Sequence, residues 1–294
     1  MDDGGDRVSD ISKVGIVGCG PMGSGLAEVC AGAALDVIVA VSSPESARRG
    51  RERVTASVDR AVRKGLTSEA ARDALLDRIS FTTELADLAD RELVIEAVTE
   101  DEAIKLDLFA RLDRIVADPD AIFATNTSSL PVMRLAQATR RPEQVVGTHF
   151  FNPVPAMPLV ELTGSLLTAE RTVERVEGFA IKLLDKEVIR SPDRAGFVVN
   201  ALLVPYLLAA MRMVESGVAS AEDVDRGMTL GCGHPMGPLR LADLIGLDTL
   251  AAVAAGLYDE FKEPLYAAPP LLSRMVDGGL LGKKSGRGFH SYQG

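Results

Sequence analysis

The chain has 294 residues, of which 47% are hydrophobic and 25% charged. That is enough apolar material for two globular domains and excludes a disordered or fibrous chain. A net charge of −10 repels nucleic acids, which bind through counterions displaced by a basic face, so any anionic ligand must be held by placed donors.

The acidic, glycine-rich start, Met1 to Asp6, has neither a signal nor a transit pattern. The three cysteines, Cys19, Cys30 and Cys232, are odd in number and lack a Cys-x-x-Cys spacing. They argue against a disulfide framework or a zinc site, fit a reducing compartment and read as small buried apolar residues. The longest apolar run, Phe197 to Met211, is interrupted by Asn200 and Pro205 and falls short of the roughly 18 residues of a membrane span. A cytoplasmic protein with no membrane, nucleic-acid or metal partner is expected.

Lys13 to Val17 is a short β-branched run ending at glycines and predicts a buried strand. Ser24 to Ala33 predicts a helix of small residues and Val37 to Val41 a second strand. This order opens a doubly wound α/β domain of Rossmann type. Pro44 to Asp77 is polar, rich in arginine and broken at Gly65; it predicts an inserted helical hairpin standing out from the sheet. Further strands are predicted at Ile79–Thr82, Leu93–Ala97, Ala121–Ala124 and Val145–His149, and late edge strands at Leu159–Leu162 and Glu187–Ile189. From Ser191 the pattern turns to apolar helices: Phe197–Glu215, Ala221–Thr229, Pro238–Leu257 and Pro269–Gly278. The boundary is placed near Arg190, between a dinucleotide-binding domain (1–190) and an all-helical substrate-binding domain (191–294). A helical domain that apolar is expected to complete its core against a second copy, giving a homodimer.

Gly18-Cys19-Gly20-Pro21-Met22-Gly23 is a Gly-x-Gly-x-x-Gly between a predicted strand and a predicted helix, the context that makes it a dinucleotide site. Gly18 permits the turn, Gly20 lets backbone approach a pyrophosphate, and Gly23 lets helix and strand pack closely. The helix N-terminus then faces the anion. The acidic residue that holds a ribose 2′-hydroxyl at the end of the second strand is absent; Val41, Ser42 and Ser43 stand there. Ser42, Ser43 and the nearby Arg48 or Arg49 would suit a 2′-phosphate, so NAD and NADP are both open.

His149 ends a predicted strand, and Glu161 follows in a segment that can fold back beside it. An imidazole backed by a carboxylate is the usual base for an alcohol proton, although a strand-end histidine also serves in packing or capping. Several stretches match one family nearly end to end and in order: Val17–Gly23, Val94–Glu100, Thr125–Leu130, His149–Val154, Gly196–Asn200, His234–Pro238 and Lys284–Phe289. In these the chain resembles the L-3-hydroxyacyl-CoA dehydrogenases, most closely the short bacterial 3-hydroxybutyryl-CoA branch.

The resemblance implies His149 as general base, Glu161 as its partner, and Ser128 and Asn200 as groups holding the reacting oxygen. It further implies cofactor contacts at Glu100, Lys105, Asn152 and Lys284, and coenzyme A contacts at Ser57 and Lys64 on the hairpin. The implied reaction interconverts a (3S)-3-hydroxyacyl-CoA and the 3-ketoacyl-CoA with NAD or NADP. Three departures stand out: Val41 for an acidic residue, His290 where tyrosine is common and expected to be without consequence, and Gly233 before His234, read as loop geometry. Rival readings keep the chemistry but change the carrier to an acyl carrier protein or another small hydroxy acid, or remove turnover and leave a dinucleotide-binding protein. Related β-hydroxyacid dehydrogenases with a lysine base share the fold, but the strand-end base here is histidine.

Overall fold

The computed structural model describes residues 11–128 and 130–292. The acidic start of the chain and Ser129 of the Thr125–Leu130 stretch lie outside the described residues. The chain divides into two compact units, one ending at Asp193 and one beginning at Arg194.

The first unit is built on an eight-stranded sheet. Its strands are β1 (Lys13–Val17), β2 (Asp36–Ala40), β3 (Ile79–Thr82), β4 (Leu93–Glu96), β5 (Ile122–Thr125), β6 (Val145–Phe150), β7 (Leu159–Gly164) and β8 (Glu187–Pro192). The spatial order is β3-β2-β1-β4-β5-β6-β7-β8. Neighbours run parallel except β6 and β7, which are antiparallel. The late strands are longer than the sequence suggests, so the unit ends three residues beyond Arg190.

Both faces of this sheet are covered, which explains its unbroken apolar runs. Val14, Ile16, Ile95 and Ala124 point to one core; Val17, Val94 and Phe123, their alternates, point to the other. The first face carries α1 (Pro21–Gly32), α2 (Pro44–Arg63) and, beyond α3 (Glu69–Leu76), α4 (Glu102–Ile115) and α5 (Val132–Gln137), helix α6 (Glu170–Gly178). The second face carries α4 and α5. Ser43 caps α2 and Asp101 caps α4, each accepting a first-turn N–H, as expected at helix starts.

The predicted hairpin is α2 and α3, with Gly65 at φ +70° between them. It does not stand wholly clear of the sheet. Gly50, Val54 and Val58 of α2 are buried, and a Cβ on Gly50 would lie 2.2 Å from Cys19 Sγ. Helix α3 buries none of its residues fully, but Leu75 and Leu76 pack against the same core.

The second unit is helical: α7 (Val199–Glu215), α8 (Ala221–Cys232), α9 (Pro238–Ile245), α10 (Leu247–Phe261) and α11 (Pro270–Asp277). Leu207, Leu208, Met211, Leu239, Leu250, Leu257 and Leu272 form its core. The single segment predicted over Pro238–Leu257 is two helices bent by 96°. Gly246, at φ +103°, makes the corner, a conformation that L side chains avoid. Cys19 and Cys30 are buried as expected, whereas Cys232 is exposed. No single helix among the described residues is long and apolar enough to cross a membrane.

Candidate active site

In an open α/β sheet, ligands bind beyond the carboxyl ends of the strands where the strand order reverses. Here the reversal lies at β1, between β2 and β4. A cavity of about 1170 Å³ opens there, lined by Gly18, Gly20, Pro21 and Met22 beyond β1, by Val41 and Ser42 beyond β2, and by Ala97 and Val98 beyond β4. It is large for a small-molecule site and suits a dinucleotide.

The three glycines have separable reasons. Gly18 sits at φ +97°, and a Cβ there would lie 2.6 Å from the Ala97 carbonyl oxygen. A Cβ on Gly23 would lie 2.1 Å from the Gly18 carbonyl oxygen, so this glycine sets the approach of α1 to the turn. A Cβ on Gly20 would meet nothing within 4 Å, so its backbone faces open space. Pro21 occupies the first helical position, no side chain caps α1, and its first turn holds no acidic residue. The residues fit a pyrophosphate: an uncapped helix start with an unobstructed backbone approach.

His149 and Glu161 are direct cross-strand partners in the β6–β7 ladder. Opposed residues of antiparallel strands project to the same face, and His149 Nδ1 lies 2.6 Å from Glu161 Oε2. Glu161 is 0% exposed and His149 8%. The Phe151 ring packs on the imidazole with centroids 4.6 Å apart. Asn126, beyond β5, accepts the Phe150 N–H at 2.9 Å and ties the end of β6 to the neighbouring strand.

A second buried network lies across the ends of β4 and β5. Glu96 Oε2 accepts from Thr125 Oγ1 at 2.7 Å and sits 3.0 Å from Lys105 Nζ. Lys105 also donates to Glu100 at 2.6 Å, and Glu100 accepts from the Thr127 hydroxyl and from the Ser128 N–H. Burial opposes the charge on Glu100, but Lys105 and these donors hold its carboxyl below the usual range.

The profile described as "3-hydroxyacyl-CoA dehydrogenase, NAD binding domain" matches residues 13–194, and that described as "3-hydroxyacyl-CoA dehydrogenase, C-terminal domain" matches residues 196–292. The chain belongs to the 3-hydroxyacyl-CoA dehydrogenase family. Among its relatives, a 3-hydroxybutyryl-CoA dehydrogenase of Mycobacterium tuberculosis is 57% identical, over 96% of this chain and 99% of the relative. The crystal structure of M. tuberculosis FadB2 superimposes with a TM-score of 0.95 at 57% identity, covering 96% of this chain and 99% of that one. The (S)-3-hydroxybutyryl-CoA dehydrogenase PaaH1 of Ralstonia eutropha does so with a TM-score of 0.92 at 43% identity, covering 97% and 100%.

In this 3-hydroxyacyl-CoA dehydrogenase the first unit brings together the glycine turn with Ser42, His149 with Glu161, and Ser128 with Glu100. Asn152 is exposed in the turn after β6. Lys105 is 1% exposed and lies between two carboxylates, so it supports Glu100 from within. On the hairpin, Ser57 lies beside Glu28, whose carboxyl burial pushes up; Lys64 is exposed at the C-cap of α2. Asn200 and Lys284 belong to the second unit. Asn200 is half-buried in the first turn of α7, and Lys284 Nζ lies 2.6 Å from Asp248 Oδ1.

Sequence reasoning missed Glu96, Ser46 and Arg53. Ser46 and Arg53 line the cavity with Arg49. Arg53 donates to the Cys19 carbonyl at 2.7 Å; its spacing of four from Arg49 is the signal that could have found it. His290 also needs correction. It is buried with Nε2 2.7 Å from Asp225 Oδ2, and its N–H donates to Asp243 at 2.9 Å. Gly233 is the left-handed cap of α8 at φ +69°, in keeping with loop geometry.

Proposed function

We propose that this chain interconverts a (3S)-3-hydroxyacyl-CoA, 3-hydroxybutyryl-CoA above all, and the corresponding 3-ketoacyl-CoA, with a nicotinamide dinucleotide bound at the glycine turn. The observation that carries the reading is the 2.6 Å pairing of His149 Nδ1 with Glu161 in the same sheet unit as a dinucleotide-sized cavity. The two relatives named for 3-hydroxybutyryl-CoA, at 57% and 43% identity, support the substrate.

The dinucleotide, when bound, accepts the hydride from C3 of the alcohol. Glu161 accepts the Nδ1–H of His149 and so directs the other ring nitrogen, Nε2, to take the proton of the 3-hydroxyl. Because Glu161 is fully buried, its charge is poorly screened and stabilises the imidazolium that forms. Ser128 and Asn200 hold the reacting oxygen, which contributes orientation. Glu100, with Lys105 behind it, and Asn152 and Lys284 serve the cofactor; Ser57 and Lys64 serve coenzyme A. In reduction, the same His149 Nε2 returns the proton.

The apolar helical unit supports a homodimer, and the acidic composition with its three unpaired cysteines supports a cytoplasmic enzyme. The test is reduction of acetoacetyl-CoA followed at 340 nm. Oxidation of the dinucleotide with acetoacetyl-CoA, and none with free acetoacetate, is the expected result. Activity confined to a carrier-protein thioester, or no turnover of any acyl thioester, would overturn the substrate assignment.

A further inference from the structure

The ribose 2′ position of a dinucleotide on this fold falls at the end of the second strand. A carboxylate there selects a free hydroxyl, because it accepts its hydrogen bond and repels a phosphate. Val41 occupies that point, 8% exposed, with its N–H given to the Thr82 carbonyl at 2.9 Å. It can neither accept from a hydroxyl nor repel an anion.

The surrounding groups are donors. Ser43 is committed to capping α2 through Ser46 N at 3.2 Å, which leaves Ser42 and Ser46 as the serine hydroxyls on a cavity wall that Thr83 and Thr99 also line. Arg48 is turned away onto Glu45, at 2.8 Å, and Glu52. Arg49 lines the cavity and is held only loosely, 3.6 Å from Glu45 and 3.4 Å from Ser46 Oγ. One helical turn on, Arg53 lines the same wall. Asp107 is the sole carboxylate among the described lining residues, and Arg111 stands 3.6 Å from it. A wall with three arginines and one aspartate is a local reversal of sign on a chain of net charge −10. The uncapped start of α1 already answers the pyrophosphate, and Arg49, no closer than 3.6 Å to the Glu45 carboxylate, has guanidinium N–H groups left to offer a further anion.

We propose that this site prefers a dinucleotide bearing a 2′-phosphate, with Arg49 as the specificity-determining cation and Ser42 and Ser46 as hydroxyl donors. The proposal rests on the reading of the cavity as the dinucleotide site. Arginine's planar fork matches a phosphate in a two-pronged contact, and such charge-assisted bonds are the strong ones.

Equilibrium titration by calorimetry, with NADPH against NADH and 2′,5′-ADP against 5′-AMP, reads this without turnover. The wild type is expected to bind the 2′-phosphorylated member of each pair roughly ten- to a hundredfold more tightly. Arg49→Ala, at an exposed position, is expected to lose most of that ratio while its affinity for NADH changes by less than about threefold. Val41→Asp is expected to turn the ratio toward NADH. Equal or tighter binding of NADH by the wild type would overturn the proposal, as would an Arg49→Ala variant that weakens both dinucleotides alike. Failure to reduce acetoacetyl-CoA with either cofactor would strike the proposed reaction, whereas the binding ratio alone decides the 2′-phosphate.

Discussion

Two histidines of this chain are buried against carboxylates at nearly the same distance, His149 against Glu161 at 2.6 Å and His290 against Asp225 at 2.7 Å. The first pair is a rung of the sheet, in the unit that holds the dinucleotide cavity. The second is wrapped in structure. Asp225 also accepts the N–H groups of Leu239 and Arg240, and Asp243 accepts those of Phe289 and His290 and the hydroxyl of Tyr292. Burial beside Asp243 pushes the Tyr292 phenol up to about 12, so it stays a donor. The other nitrogen of His290 faces Glu222 at 4.0 Å. A short imidazole–carboxylate contact is therefore no mark of catalysis by itself. The unit around it decides whether it moves protons or fastens a chain end.

The comparison breaks most sharply under matched substitutions. His149→Gln is expected to lower kcat by a factor on the order of 10² to 10⁴, and Glu161→Gln by a comparable factor through loss of the tautomer. Both should keep dinucleotide affinity in calorimetry. His290→Gln should leave kcat per folded molecule near the wild type; a loss as large as that of His149→Gln would erase the distinction. Conversely, Asp243→Ala strands three donors in a fully buried site and is expected to cost about 3–5 kcal/mol of unfolding free energy, read by urea denaturation. Gly246→Ala sharpens the same point at smaller cost. It forces φ +103° on a side chain whose Cβ would lie 3.1 Å from Lys284 Nζ, for about 1–3 kcal/mol.

The smallest expected effect concerns Glu100. Its folded carboxyl titrates below the ordinary range, so it adds stability above the unfolded value, about 4.3, and that contribution fades as pH falls through the folded value. The urea midpoints of wild type and Glu100→Gln should therefore differ at pH 7 and draw together as pH falls below the ordinary carboxylate range. A difference that grows toward acid would contradict the sign.

Much of this was legible in the residues. The strands declare themselves because both faces are buried, so runs such as Val14–Val17 and Leu93–Ile95 carry no polar side chain. The glycine turn is legible because each glycine answers a local steric demand. The His149–Glu161 pair was readable through its short separation across one turn. The corner at Gly246 was not, since Leu244, Ile245 and Leu247 continue the apolar pattern across it and only the backbone angle breaks the helix. His290 was misjudged because Asp225 is 65 residues away in sequence. Lys105 looks like a surface cation until Glu96, on a neighbouring strand, is seen to claim it.

The placing of His149 and Glu161 in ladder register has a consequence for how such a chain can change. Their separation is kept by main-chain pairing from Val146–Gly164 to Phe150–Val160, not by the turn from Phe151 to Pro158. The exposed Pro155 and Ala156 of that turn can be exchanged while the two side chains stay abreast, because the turn itself is anchored by Phe151 on the imidazole and by the buried Val154. Side chains at the rim can thus vary while the register of His149 and Glu161 beneath is kept by the ladder.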